Sequence, residues 1–136
     1  MTGSLDRDDL FYPPPVLNQP NTLPVPIVWS AHTPADQALF LEELDLWVEW
    51  LTDRYRLDHR TVPHCWHEHP EILEELSALH LAWQGAYATS AAPDEALRWH
   101  EHFAAASSRL NDWVARTGCR PDAHRPRSVR VVATAR

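Results

Sequence analysis

Glycine is scarce in this chain, at three residues in 136, and lysine is absent. Gly3, Gly85 and Gly118 lie too far apart to form a phosphate-cradling loop, which closes that route to nucleotide binding. No run of about 20 apolar residues occurs, so the sequence offers no membrane-spanning helix. The first ten residues carry Asp6, Asp8 and Asp9 and no apolar stretch, unlike a secretory signal, and the expectation is a cytoplasmic protein. Cysteine is limited to Cys65 and Cys119. In the cytosol such a pair is more often free or metal-bound than disulfide-bonded. Catalytic signatures are missing too. Ser107 and Ser108 fall mid-helix with no base nearby, and Glu42, Glu43, Glu74 and Glu75 read as solvated helix faces.

What the chain does hold is arginine, tryptophan and histidine. All twelve basic residues are arginine, against nineteen acidic ones, for a formal net charge of −7. With much Ala, Pro, Trp and Asp, this points to a GC-rich coding sequence. The charge is uneven. Arg116, Arg120, Arg125, Arg127, Arg130 and Arg136 face only Asp122 over residues 116–136, whereas the preceding body is strongly acidic. That asymmetry fits a tail that meets an anionic partner, or a tail that only aids solubility. Arg120, Arg125, Arg127 and Arg130 are the candidate nucleic-acid contacts, made to phosphates without sequence preference. The seven tryptophans, each able to bury roughly 150–250 Å², can supply the core of one domain.

Proline punctuates the chain. Residues 1–32 carry Pro13, Pro14, Pro15, Pro20, Pro24 and Pro26, which rule out a helix and favour an extended arm. Within it Leu23, Val25, Ile27, Val28 and Trp29 can lie along the body as a strap. A first helix is expected over residues 34–57, with Thr33 as N-cap, Pro34 at the first helical position and Asp36 in the first turn. Phe40, Leu44, Trp47, Leu51 and Tyr55 form its apolar stripe, widened by Leu41 and Val48. A His-rich loop follows over 58–69. The second helix opens at Pro70 and buries Ile72, Leu76, Leu79, Trp83 and Ala86. Pro93 opens the third, whose stripe is Ala96, Trp99, Phe103, Ala106, Leu110, Trp113 and Thr117, and Gly118 suits its C-terminal stop. A short strand is possible over 129–134. The expectation is an all-α fold: a three-helix up-down-up bundle over 33–119, with a Pro-rich arm over 1–32 and an Arg-rich tail over 120–136.

Each cysteine has a histidine just downstream: Cys65 with His69, and Cys119 with His124. Second and third helices joined by a short loop should be antiparallel, which sets the start of one beside the end of the other. The two pairs then converge. Two Cys and two His suit tetrahedral Zn²⁺, and spacings of Cys-x3-His and Cys-x4-His let each pair bite one ion. A structural zinc would couple metal binding to folding. Free thiols, a Cys65–Cys119 disulfide, and His64 or His67 in place of His69 are the alternatives. His67-Glu68-His69 and His100-Glu101-His102 repeat a motif, but histidines two apart on a helix point about 200° apart and cannot easily share a metal.

The segment Cys65-Trp66 running into His69-Pro70-Glu71 resembles an uncharacterised actinobacterial family of short, Trp-rich proteins encoded on plasmids and integrative elements. The matching residues continue through Leu76, Leu79, Trp83, Trp99 and Gly118-Cys119, so the resemblance covers about residues 47–124. Family members often place the cysteine further ahead of the tryptophan, whereas here Cys65 abuts Trp66. The resemblance implies an accessory role on a mobile element and brings no activity with it. The functional expectation is a small non-enzymatic helical accessory protein binding a protein or nucleic-acid partner, with zinc as a staple. A DNA-binding regulator using the basic tail is the alternative, and a metal-dependent hydrolase a further one. The sequence assigns no oligomeric state.

Overall fold

The computed structural model describes residues 24–126. Most of the Pro-rich arm, Arg127, Arg130 and the strand expected over 129–134 lie outside the described residues. Three long helices dominate: α1 (Pro34–Arg54), α2 (Pro70–Ala86) and α3 (Glu95–Thr117), with single 3-10 turns at Trp29–Ala31 and Trp66–Glu68. Among the described residues the only β pairing is one isolated bridge, Arg120 with Ala123, so the fold class is all-α.

Helix α1 starts as its sequence dictates. Thr33 Oγ1 accepts a hydrogen bond from the Asp36 N–H at 3.2 Å, and Pro34 fills a position whose N–H would have no partner. The helix stops at Arg54, three residues before the expected end. Its last turn closes when the Leu57 N–H bonds to the Thr52 carbonyl at 2.9 Å and the Arg56 N–H to the Asp53 carbonyl at 3.4 Å. This is a Schellman motif with a non-glycine residue, Arg56 at φ +53°, in the left-handed position. Leu57 then folds back onto the core. Helix α3 begins at Glu95 rather than Pro93, because a turn from Ala92 to Glu95 precedes it and the Asp94 carboxylate is drawn to Arg98 at 3.3 Å. Gly118, at φ +74°, ends α3 in the left-handed conformation that glycine tolerates best.

The apolar stripes meet in one core, in which Trp47, Trp99, Leu51, Ile72, Leu76 and Leu110 are almost wholly buried. Two indoles also find polar partners inside. Trp29 donates to Ser77 Oγ at 3.1 Å, and Trp99 donates to the Leu79 carbonyl at 3.1 Å. Of the predicted strap, Trp29 is buried and Ile27 packs on the core, while Val25 and Val28 are exposed.

Contacts between α2 and α3 run in opposite senses. Leu79 meets Trp99, Glu75 holds Arg109 through two hydrogen bonds of 2.7 and 3.0 Å, and His69 reaches Cys119. The contacts of α1 do not bear out an up-down-up order. Trp47 stacks on His80, and Trp50, three residues on, meets Trp83, so partners rise together along α1 and α2. The connection over residues 55–69 is long, and it runs beside α3, where Thr61 Oγ1 donates to Asn111 Oδ1 at 2.8 Å. That path delivers Cys65 to the end of α3.

Candidate metal centre

The first half of the site is set by the short turn before α2. The Glu68 N–H bonds to the Cys65 carbonyl at 2.9 Å and the His69 N–H to the Trp66 carbonyl at 3.2 Å, closing a 3-10 turn. Trp66 is buried beneath it as the anchor. His69, only 2% exposed, caps α2, and Pro70 fixes the helix start. Cys65 and His69 therefore turn toward one point.

The second half is a knuckle after α3. Thr117 donates from Oγ1 to the Val114 carbonyl at 2.6 Å and accepts from the Cys119 N–H at 3.1 Å. Gly118 reverses the chain. Arg120 and Ala123 exchange backbone hydrogen bonds of 2.8 and 3.1 Å across a turn at Pro121 and Asp122. The Arg125 N–H then donates to Cys119 Sγ at 3.1 Å, and His124 comes back beside the sulfur. A side chain at Gly118 would collide with Arg125, whose Nη1 lies 2.7 Å from an ideal Cβ position.

The four predicted residues come together. Cys65, His69, Cys119 and His124 place one potential ligand atom each within 4.8 Å of all the others. Zn–S and Zn–N bond lengths imply tetrahedral edges of about 3.8 Å between sulfurs and about 3.5 Å between sulfur and nitrogen. The sulfurs stand 3.5 Å apart. Cys65 Sγ lies 3.6 Å from His69 Nε2, and Cys119 Sγ lies 3.3 Å from His69 Nε2 and 3.5 Å from His124 Nδ1. These edges match a single tetrahedral ion. They do not match a disulfide, whose sulfurs are about 2.05 Å apart, and both cysteines are free thiols.

Carboxylates face the outer nitrogens of both histidines. Glu71 Oε1 lies 3.8 Å from His69 Nδ1, and Glu68 Oε2 lies 3.6 Å from His124 Nε2. A carboxylate in that place favours the tautomer that turns a lone pair toward the metal and raises the basicity of the ring. The thiols divide their protons unequally. Burial pushes the Cys119 thiol up, but the hydrogen bond from the Arg125 N–H, with the polar neighbours Thr117, Cys65 and His69, outweighs it and brings it down to about 6. Burial, then the hydrogen bond and charge of Cys119, push Cys65 up to about 11. One proton leaves this pair readily, and the second leaves when a cation neutralises both sulfurs.

His64 and His67 are exposed and stand outside the cluster. In the second His-Glu-His motif, His100 engages the Ala96 carbonyl through Nδ1 at 2.8 Å and the Tyr55 hydroxyl through Nε2 at 3.1 Å, while His102 is exposed. Among the described residues no other group of three or more His, Cys, Asp or Glu is placed to hold a metal. Sequence reasoning missed Thr117 and the Arg125 N–H, which act through the backbone. It also missed the carboxylates of Glu68 and Glu71, for which proximity to His69 was the available signal. Of the predicted phosphate contacts, Arg120 lines a groove of about 740 Å³ shared with Arg56, Arg60 and Asn111, while Arg125 packs over Gly118. Arg56 and Arg60 lie in the acidic part of the sequence and were not expected beside Arg120.

A scan of protein-family models finds no match to this chain, and searches of curated proteins and of solved structures find none either.

Proposed function

We propose that Cys65, His69, Cys119 and His124 hold a structural Zn²⁺, and that the protein is a small non-enzymatic helical accessory protein binding a macromolecular partner. One observation carries the reading: four donor atoms from two distant segments lie within 4.8 Å of one another, and four of their separations are 3.6, 3.5, 3.3 and 3.5 Å, close to tetrahedral edges. Four protein ligands fill the shell of a structural zinc, whereas a catalytic zinc keeps a position for water, and this weighs against the metal-dependent hydrolase. Bound there, the metal would tie the loop before α2 to the knuckle after α3. Two thiols kept free of a disulfide suit a reducing cytoplasm. The resemblance to the actinobacterial family supports placement on a mobile element.

Elemental analysis of protein purified without a His tag tests the metal. About one equivalent of Zn is expected, with a lower melting temperature after chelation. Less than about a tenth of an equivalent, with no loss of stability on chelation, would refute a structural site.

A nucleic-acid partner is favoured by one further observation. Arg56, Arg60 and Arg120 line a common groove with one carboxylate, Asp58, whose Oδ1 accepts the Arg60 backbone N–H at 2.9 Å, so three guanidinium groups outnumber the acid there. The DNA-binding alternative therefore extends from the tail residues Arg125, Arg127 and Arg130 to this groove. Binding to nonspecific duplex DNA at low salt, weakened by added salt and by the combined change R56A/R60A/R120A, is its expected signature. Absence of any shift at low salt would leave a protein partner as the reading.

A further inference from the structure

We propose that Cys65 and Cys119 are a reversible oxidation site, closing to a disulfide that expels the metal and takes over its role as the link between the two ends of the helix pair. The proposal deepens the zinc reading by assigning that centre a redox response, and it rests on the arrangement of the sulfurs. They are already in contact at 3.5 Å although they lie 54 positions apart in sequence. Closing that gap to about 2.05 Å requires a shift of roughly 1.5 Å. Rotation about the Cα–Cβ bonds supplies part of it. The rest can come from the knuckle, an exposed turn after a left-handed glycine whose backbone pairing is one bridge between Arg120 and Ala123.

Access and stoichiometry fit as well. Cys119, the attacking sulfur, is partly exposed, so a small oxidant reaches it without unfolding the core. They are the only cysteines in the chain, so within one molecule the first oxidised sulfur has a single partner. Hydrogen peroxide is the oxidant class. The thiolate of Cys119, which accepts the Arg125 N–H, attacks one peroxide oxygen, the O–O bond breaks, and hydroxide leaves. The sulfenic acid formed then receives the Cys65 sulfur and loses its oxygen as water. Two electrons pass from the sulfurs to one peroxide, and with two protons from solvent the products are one disulfide and two waters. Oxidation strips the centre of both sulfur donors. His69 and His124 alone are half of a zinc shell, so the ion is released. A thiol reductant reverses the step.

The test treats the full-length protein, first assayed for zinc, with hydrogen peroxide. Intact mass, free thiols and released zinc, read with a chromogenic chelator, are followed together. Expected are the loss of two hydrogens in mass, loss of both thiols for each zinc released, and full return on adding dithiothreitol and zinc. The oxidised protein should melt above the reduced, chelated protein. Cys119→Ser should show no mass loss of this kind, and Cys65→Ser provides the same control should the first variant fold poorly. Zinc-loaded protein whose sulfurs gain oxygen atoms instead of losing hydrogens overturns the proposal, as does disulfide formation only between molecules on a non-reducing gel. Protein that carries no zinc yet loses two hydrogens keeps the oxidation site and removes the zinc reading, so the two fail separately.

Discussion

At the scale of single residues, His80 shows how burial becomes a pH response. Its ring stacks on Trp47 at a centroid distance of 4.7 Å, and burial pulls its pKa down to about 4 from an ordinary 6.5. The unfolded chain takes up a proton near 6.5 that the folded one refuses until about 4. Stability is therefore fully present above the unfolded value and is lost as pH falls through that window, by about 3 kcal/mol if the whole shift is realised. The change His80→Phe keeps a ring against Trp47 and removes the titration. Urea unfolding between pH 7 and 4.5, with chelator throughout to silence the metal, should show a much flatter decline for the variant, and equal declines would sink the assignment. His80 was one histidine of nine in the sequence and carried no mark of its role. The four clustered residues were legible because each cysteine sat a few residues from a histidine at a helix boundary. Thr117 and Arg125 were not legible, since their part in the site is a hydroxyl on a backbone N–H and a backbone N–H on a sulfur.

Helix boundaries set the next scale. The start of α1 could be read from Thr33, Pro34 and Asp36, and the end of α3 from Gly118. The end of α1 could not, because its left-handed residue is arginine and no glycine or asparagine announces the turn. An L residue in that conformation costs about 1–2 kcal/mol, partly offset by the greater freedom that glycine would have in the unfolded chain. Arg56→Gly should therefore stabilise the protein by about 0.5–1 kcal/mol in chemical denaturation, and Arg56→Val should destabilise it, since a branched side chain fits that conformation worst. A loss of stability in the glycine variant would mean that the arginine side chain makes contacts worth more than the strain. The direction of α1 escaped the sequence for a related reason. The stretch 55–69, expected only as a His-rich loop, is long enough to bring the chain back before α2 begins.

For the whole molecule, the two ends of the antiparallel pair differ in what holds them. One end is aromatic, with the Trp47 ring against those of Trp50, Trp83 and Trp99, and Tyr55 and Phe103 beside them. The other converges on the Cys/His cluster and a knuckle of exposed residues. Chelation should act locally first. Hydrogen exchange at residues 65–72 and 114–120 is expected to quicken by about tenfold or more, while amides near Trp83 and Trp99 change far less. An equal loss of protection at both ends would instead make the metal a condition for the whole fold. The convergence was foreseeable from the short loop between α2 and α3, whereas the division into an aromatic end and a polar end emerged only once the chain was folded. The proposed link between Cys65 and Cys119 would also decide how the chain carries a load. Tension applied outside the pair would cross from one sulfur to the other through the link, and α2 and α3 would lie in a bypassed ring. With the two cysteines 54 positions apart in sequence, roughly 190 Å of contour would stay out of reach of a pulling force until that link gave way.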